Sequence, residues 1–260
     1  MQGTTLLVHV GPVDLLPKIQ RTFWYVSPQL PSPNGFHRST QVQLNPSSRN
    51  RLMPRHSEYF AGETLFDRLA RSVCAAGCLP RKELYESWEM ARRIRRRFRA
   101  GRIVDWACGH GLLGAIFLLL DDGSPEVISF DVRLPASADK LKAELVSTWP
   151  RLQKRWHFTT QPPQVSVDDL IVSCHACGAL TDDVLRAAVS ARARVAVMPC
   201  CHRHEDLERK EWLGWLDPSL AMDVHRAEMV RARDYDVWTT TIPPQITPQN
   251  RVLMAAPKAG

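Results

Sequence analysis

From residue 57 onward, the apolar positions switch repeatedly between helical and strand spacing. The segments "SEYFAGETLFDRLARSVCAAG" (57–77) and "PRKELYESWEMARRIRRRF" (80–98) have helical spacing, with Ser57 and Pro80 where helices begin. Short apolar runs then alternate with helical segments and predict strands at 102–107, 126–132, 155–161, 168–176 and 193–201. This alternation is typical of βα units and of a parallel sheet covered on both faces.

The end of the chain breaks this alternation. Two further strands are predicted at 235–244 and 249–257, separated by a short link too short for a helical crossover. Such strands must pair as an antiparallel hairpin. The predicted fold class is therefore α/β and Rossmann-like, with a mostly parallel seven-stranded sheet closed by a C-terminal antiparallel hairpin.

The beginning of the chain differs in composition from the rest. Residues 1–57 contain six basic residues and one acidic residue, Asp14, a formal charge of +5 out of a total of +7. We predict a basic, poorly structured N-terminal extension over 1–56 and one domain over 57–260, which includes N-terminal covering helices. The alternatives for the extension are an organelle transit peptide and a true start at Met53. Because the domain is nearly neutral, the high isoelectric point is weak evidence for a nucleic-acid partner.

Hydropathy and cysteine content indicate the compartment. The longest apolar run, Leu112–Leu120, is half of the ~20 residues that span a bilayer, so no membrane segment and no membrane partner are expected. The seven cysteines are an odd number, and the chain lacks a secretory apolar segment. We therefore expect a cytoplasmic protein whose thiols are reduced or metal-bound rather than in disulfides.

The segment "VDWACGHGLLG" predicts a nucleotide site between the first strand and its helix. Its glycines satisfy G-x-G-x-x-G, which NAD- and FAD-binding folds share. An acid four residues before the first glycine instead favours S-adenosylmethionine, because a carboxylate there can accept the methionine ammonium. An acid at the end of the next strand would bind the ribose in either class. The predicted cofactor-binding residues are Asp105, Ala107, Gly109, Gly111 and Asp131.

Two cysteine- and histidine-rich segments follow neighbouring predicted strands. "SCHACG" (173–178) and "PCCHRH" (199–204) should meet at the carboxyl edge of the sheet, where ligands bind. Their side chains could be packing residues, a zinc site that includes Cys174 and His204, or a catalytic thiolate. We predict reduced cysteines beside the acceptor and no bound metal. The predicted catalytic residues are His175, Cys177, Cys200, Cys201 and His202.

Six arginines crowd one stretch of the second helix. Residues 92–99 carry Arg92, Arg93, Arg95, Arg96, Arg97 and Arg99 around an apolar stripe. One interpretation is a solvated helix face over the sheet. The other is a phosphate-binding surface beside the active site, which an RNA substrate would use.

The motifs "DWACGHG", "HACGALTD", "MPCCH" and "ITPQNRVLMA" resemble a methyltransferase-domain family. That family includes methyltransferase-like proteins, the glutathione-S-transferase-C-terminal-domain-containing protein and relatives of eukaryotic tRNA ribose methyltransferases. "PRKELYES" is similar to the family's Lys/Glu segment, which implies that Lys82 and Glu86 lie near the site. The resemblance covers residues 78–257 and implies a class I methyltransferase fold.

The resemblance also implies a function. The expected protein is an S-adenosylmethionine-dependent methyltransferase with RNA, tRNA in particular, as the preferred acceptor. The alternatives are a small-molecule or protein acceptor and a non-catalytic module that binds the cofactor. The chain lacks the Asn/Asp-Pro-Pro-aromatic motif of amine methyltransferases and the Lys-Asp-Lys-Glu tetrad of ribose methyltransferases, so the target atom stays open. No sequence signal indicates the oligomeric state.

Overall fold

A seven-stranded sheet with the order β3-β2-β1-β4-β5-β7-β6 organises the chain. The computed structural model describes residues 45–200, 202 and 211–259. Strands β1 to β5 pair with one another in parallel, and β7 is antiparallel to both β5 and β6. The predicted mostly parallel sheet and its closing hairpin are confirmed. The strands are β1 Ile103–Trp106, β2 Val127–Phe130, β3 Trp156–Thr159, β4 Leu170–Ser173, β5 Arg194–Val197, β6 Tyr235–Thr241 and β7 Arg251–Pro257.

Six α-helices accompany the sheet in the part of the chain that the structure describes. They are α1 Leu65–Ala76, α2 Arg81–Arg97, α3 Leu112–Leu120, α4 Ala138–Thr148, α5 Ala179–Ala191 and α6 Pro218–Arg231. Successive residues of a strand point to opposite faces. Accordingly Leu170 and Val172 of β4 pack in a core with α1–α4, and Ile171 packs in a second core with α5 and α6. The sheet is therefore covered on both faces, as expected.

The first predicted helix is shorter than the pattern suggested. A 3-10 helix at Pro54–Phe60 is followed by a break, and α1 begins only after Thr64, whose hydroxyl accepts a hydrogen bond from the Asp67 N–H at 3.1 Å. Thr64, not Ser57, is thus the cap of α1. Gly62 lies in the break, and glycine disfavours a continuous helix.

Residues 48–50, which precede the 3-10 helix, are hydrogen-bonded to the start of α2. The carbonyls of Ser48 and Asn50 accept hydrogen bonds from the N–H groups of Lys82 and Arg81 at 3.0 and 2.9 Å. The first N–H groups of a helix have no partner inside the helix, so these carbonyls complete its first turn. Residues 45–56 were assigned to the extension from sequence. Two of them, Ser48 and Asn50, are hydrogen-bonded to the start of α2 in the domain. Residues 1–44 lie outside the described residues.

None of the described helices is long and apolar enough to cross a membrane.

Candidate active site

The candidate site lies at the carboxyl edge of β1 and β4, where the strand order changes direction. Crevices at this point of an open α/β sheet are where such folds bind ligands. Three groups of side chains meet at this edge. They come from the loop between β1 and α3, from the first turns of α2, and from the segments that follow β4 and β5.

Asp105 anchors the first group. It lies on β1, its side chain is buried, and its Oδ2 accepts the Gly114 N–H at 3.0 Å. The pKa of Asp105 is raised to about 7, mainly by burial and also by the carboxylates of Asp131 and Glu83, while the hydrogen bond from the Gly114 N–H acts in the opposite direction. The site thus holds a carboxyl group that is balanced between its neutral and charged forms near neutral pH.

The loop after Asp105 has a backbone that few side chains tolerate. Ala107, Gly109 and Gly111 all have positive φ, at 56°, 53° and 73°. A Cβ on Gly111 would lie 2.7 Å from Cε1 of Phe158, whereas one on Gly109 would meet no atom within 4 Å. Gly111 is therefore required for packing against β3, and Gly109 leaves open space in front of the loop.

Asp131 closes this loop from the neighbouring strand. It follows β2, and its Oδ2 accepts the Gly109 N–H at 3.0 Å while its Oδ1 accepts the Arg133 N–H at 3.1 Å. Next to it, the Val132 side chain is 80% exposed. An acidic group and an uncovered apolar side chain therefore stand side by side at the rim of the open space.

Two glutamates of α2 form the second group. Glu86 is buried, lies 2.8 Å from Lys82 Nζ through Oε1, and lies 3.4 Å from His175 Nε2 through Oε2. Burial and the Glu86 carboxylate raise the pKa of Glu83 to about 7, against the opposing effect of Lys82. Burial lowers the pKa of His175, and Glu86 acts in the opposite direction. His175 is therefore mainly neutral at pH 7, next to an acidic group.

His110, in the loop between β1 and α3, connects these groups. Its Nε2 lies 2.9 Å from Ser137 Oγ, and its Nδ1 lies 4.0 Å from Glu83 Oε1. These contacts of His110 with Ser137 and Glu83 were not predicted from the sequence, because His110 occupies one of the x positions of the G-x-G-x-x-G motif. The Lys82 and Glu86 side chains lie next to His175 at this edge of the sheet.

The cysteines of the site fall into two kinds. Burial raises the pKa of Cys108 and of Cys174 well above the usual range, and acidic neighbours add to the effect in both cases. These two thiols are protonated at neutral pH and are poor nucleophiles. In contrast, Cys177 and Cys200 lie nearer the surface, with their Sγ atoms 3.0 Å apart.

The predicted neighbourhood of the two cysteine segments is present, because β4 and β5 pair in parallel and Ser173 lies opposite Val197. Cys201 and His204, however, lie outside the described residues. Among the residues that the structure does describe, no group of three or more His, Cys, Asp or Glu side chains is arranged to hold a metal ion.

An ion-pair network beyond β5 holds His202. Its Nε2 lies 2.8 Å from Asp223 Oδ1, and Arg251 Nε lies 2.7 Å from Asp223 Oδ2. Arg226, which is buried, donates from Nε to Asp182 at 2.8 Å and from Nη2 to the Gly178 carbonyl at 3.1 Å. The network joins α5, α6 and β7 to the end of β5.

Sequence reasoning did not find Asp223, Arg226 or Arg251. Asp223 and Arg251 are 28 positions apart, and the former lies in an ordinary mixed helix. Hydrogen bonding from His202 and Arg251 lowers the pKa of Asp223 despite its burial, so the carboxylate is ionised. The Asp223–Arg251 pair also lines a cavity of about 280 Å³ between α6 and the β6–β7 hairpin.

The predicted placement of the whole arginine run beside the site is wrong, because the end of α2 that carries most of it lies away from the site. Helix α2 has 17 residues, about 25 Å, and only its first turns reach the site. At its other end Arg95 is buried and pairs with Asp121 at 3.1 Å, in the turn between α3 and β2. Arg97 stacks over Trp238 of β6, 3.6 Å from the ring centre. The last turn of α2 therefore lies at the amino edge of the sheet, away from the site, whereas Arg93 Nε donates to the Thr241 carbonyl at the end of β6, 2.7 Å away.

Comparison with known protein families identifies the class of this domain. Residues 82–207 match a family model described as a methyltransferase domain. No curated protein matches the chain significantly. The match begins inside α2 and ends beyond β5, so it covers all three groups of the candidate site.

Several solved structures are distantly similar. The B. subtilis M1A22 tRNA methyltransferase TrmK is 14% identical over 65% of this chain and 66% of its own, with a TM-score of 0.45. A putative O-methyltransferase from Nostoc punctiforme is 13% identical over 73% and 60%, with a TM-score of 0.45. An O-methyltransferase family protein from Burkholderia thailandensis is 16% identical over 82% and 66%, with a TM-score of 0.46. The chain thus spans somewhat less than two thirds of these proteins.

The family model and the strand order agree with each other without these distant similarities. The sheet order, the antiparallel β7 and the loop after β1 are those of the class I methyltransferase fold. Residues 82–207 therefore match the methyltransferase domain family, and the sheet that contains them has the class I methyltransferase fold.

Proposed function

We propose that the loop between β1 and α3 binds S-adenosylmethionine, with the methionine end against Asp105 and the ribose at Asp131. The observation that carries this proposal is the set of carboxyl groups around the open space at Gly109: Glu83, Asp105 and Asp131. The cofactor has a positive sulfonium and a positive ammonium, and nearby carboxylates stabilise both charges. Val132 offers the adenine an apolar surface next to the ribose.

The glycine loop contributes its backbone to the same site. The open space in front of Gly109 allows the cofactor to approach the main chain, with Ala107 and Gly111 shaping the turn. Asp131 already accepts the Gly109 N–H through one oxygen and the Arg133 N–H through the other. Ribose hydroxyls would use the remaining lone pairs of this carboxylate.

The acceptor would enter from the ends of β4 and β5. His175, Cys177, Cys200, Cys201 and His202 are the proposed acceptor-side residues. Among them His175 suits proton transfer, because its lowered pKa makes it neutral at pH 7 and Glu86 would stabilise the imidazolium that forms. The buried, protonated Cys174 next to it suits packing rather than nucleophilic attack.

RNA, tRNA in particular, is the proposed acceptor class. The motifs shared with relatives of tRNA ribose methyltransferases and the exposed arginines at the amino edge support it. Transfer of labelled methyl groups from S-adenosylmethionine onto separated pools of RNA, protein and small molecules tests it directly. Label in the RNA pool supports the proposal, and label confined to another pool replaces the acceptor while leaving the cofactor site intact.

Cofactor binding gives the first specific prediction. S-adenosylmethionine and its demethylated product should bind with a micromolar Kd, which corresponds to a binding free energy of about −8 kcal/mol. Asp131→Ala should weaken binding by about 1.5–3 kcal/mol, because it removes a charged hydrogen-bond acceptor. Asp183→Ala, on the exposed surface of α5, is the matched control and should bind normally. Calorimetry that finds tight NADH binding and no binding of either sulfur nucleotide contradicts the proposal.

A further inference from the structure

Two thiols lie in contact at the ends of β4 and β5, the proposed acceptor edge. The Sγ atoms of Cys177 and Cys200 are 3.0 Å apart, and the two residues follow the neighbouring strands β4 and β5. A disulfide has an S–S bond of about 2.05 Å, so about one ångström of further approach would join them. Cys177 is exposed and Cys200 is partly exposed, so a small oxidant can reach the pair.

The segment that carries Cys177 is held by hydrogen bonds. The Gly178 carbonyl accepts a hydrogen bond from Arg226, and the Cys177 carbonyl accepts the Leu180 N–H at 3.2 Å, in the first turn of α5. Gly178 has φ 57° and ψ −130°, a conformation that glycine adopts readily. The short distance between the sulfurs is therefore set by the ends of two paired strands.

The four other cysteines that the structure describes are protected from oxidation. Cys74, Cys78 and Cys174 are buried, and Cys108 is half-buried. Burial raises the pKa of all four, to about 11 for Cys74, and so suppresses the reactive thiolate. Oxidation should therefore concentrate at the pair near the surface.

We propose that Cys177 and Cys200 are a site of reversible oxidation that takes hydroperoxides as its oxidant. The Cys177 sulfur attacks a peroxide oxygen, which forms a sulfenic acid and releases water. The Cys200 sulfur then attacks the Cys177 sulfur and releases a second water. Together, two thiols and one hydrogen peroxide give one disulfide and two waters, and the two electrons lost by sulfur reduce the peroxide.

The disulfide would connect the segments after β4 and β5 across the proposed acceptor entrance. It would close a loop that contains α5 and β5. A crosslink of this length restricts the unfolded chain, so the melting temperature of the oxidised protein should rise by about 5–10 °C. This inference does not depend on the identity of the acceptor or on cofactor binding.

Peptide mapping of the full chain tests the proposal. Reduced protein is treated with equimolar hydrogen peroxide, alkylated and digested with trypsin without reductant. The expected product is a crosslink between peptides 156–186 and 195–203, which dithiothreitol separates. Each peptide contains two cysteines, so variants are needed to assign the bond. Cys177→Ser and Cys200→Ser should each abolish the crosslink, whereas Cys174→Ser and Cys201→Ser should retain it.

Three outcomes would overturn the proposal. One is a crosslink that survives Cys200→Ser or disappears with Cys201→Ser. Another is peroxide consumption that leaves these two peptides unlinked in the wild-type protein. The third is about one tightly held zinc per chain that is lost on Cys177→Ser, because the sulfurs would then be metal ligands. Melting curves under reductant show that each variant is folded, and Cys177→Ala replaces Cys177→Ser if it is not.

Discussion

Asp105 shows how a single buried carboxyl group makes the stability of a protein depend on pH. Its carboxyl group is buried, and its pKa of about 7 lies far above that of an exposed aspartate. Between about pH 4 and 7 the folded protein therefore holds a proton that the unfolded chain has lost. Stability of the cofactor-free protein should fall as the pH rises through this window and level off above pH 7.

Asp105→Asn separates the charge from the hydrogen bond. The amide oxygen can still accept the Gly114 N–H, but the buried charge is removed. We expect the free energy of unfolding at pH 8 to rise by about 1–3 kcal/mol and cofactor affinity to fall at least tenfold. At about pH 3, where Asp105 is protonated in both the folded and the unfolded chain, the two proteins should unfold alike. Urea titrations at both pH values measure this, and an unchanged affinity would remove Asp105 from the site.

The same groups predict a pH dependence of binding. A bound cation favours ionised carboxylates, so Asp105 and Glu83 should lose protons when S-adenosylmethionine binds. The Kd should be nearly constant above pH 8 and rise as the pH falls below 7, by up to about tenfold per unit for each group. Calorimetry in buffers of different ionisation enthalpy should detect proton release at pH 7. A Kd that is constant between pH 6 and 8 would contradict this prediction.

At the scale of elements, α2 has two ends with different tasks. Its first turns bring Glu83 and Glu86 to the site, and its last turn brings Arg95 to Asp121 and the Phe117 ring. Burial lowers the pKa of Arg95 to about 10, and Asp121 acts in the opposite direction, so the guanidinium remains charged at pH 7. The first turns of α2 therefore line the proposed cofactor site, and its last turn holds the helix to the sheet.

Arg95→Leu tests the structural end of α2. Removing one partner of a buried ion pair leaves Asp121 uncompensated, and the expected cost is about 3–5 kcal/mol of unfolding free energy. Arg96→Leu changes the next residue in the same way, but its side chain is exposed, so the cost should stay within about 0.5 kcal/mol. Equal losses for the two variants in urea unfolding would contradict the assignment. Cofactor affinity should be unchanged in both.

At the scale of the whole molecule, the active site and the exposed arginines lie at opposite edges of the sheet. An RNA much larger than the domain could contact both. If tRNA binds, Arg96→Gln with Arg99→Gln should reduce the slope of log affinity against log salt by about 1.5–2 and leave cofactor binding unchanged. The control replaces two exposed basic residues on other helices, Lys140 at the start of α4 and Arg186 in α5. Absence of tRNA binding at low ionic strength would favour a protein or small-molecule acceptor.

The strand order and the hairpin could be predicted because they depend on local patterns. Short apolar runs, glycine loops and the length of the last link are all visible in the sequence. The position of the arginine run could not be predicted in this way. Helical spacing shows which face of a helix is apolar, but it does not show which end of the helix lies at the site. The Asp223 network was also invisible, since its members are 21 to 44 positions apart or lie within an ordinary helix turn. Side-chain pairing across elements requires the assembled fold.

Helix α3 is apolar on every side, and Leu112 to Leu119 are all buried. A helix with this composition has no face for water, so it needs the sheet beneath it and α2 above it. Helix α2 therefore shields the apolar helix α3 from water, in addition to carrying the acidic side chains of the candidate site. A truncated chain that began at β1 would expose α3 and should aggregate, even though it would keep every strand of the sheet.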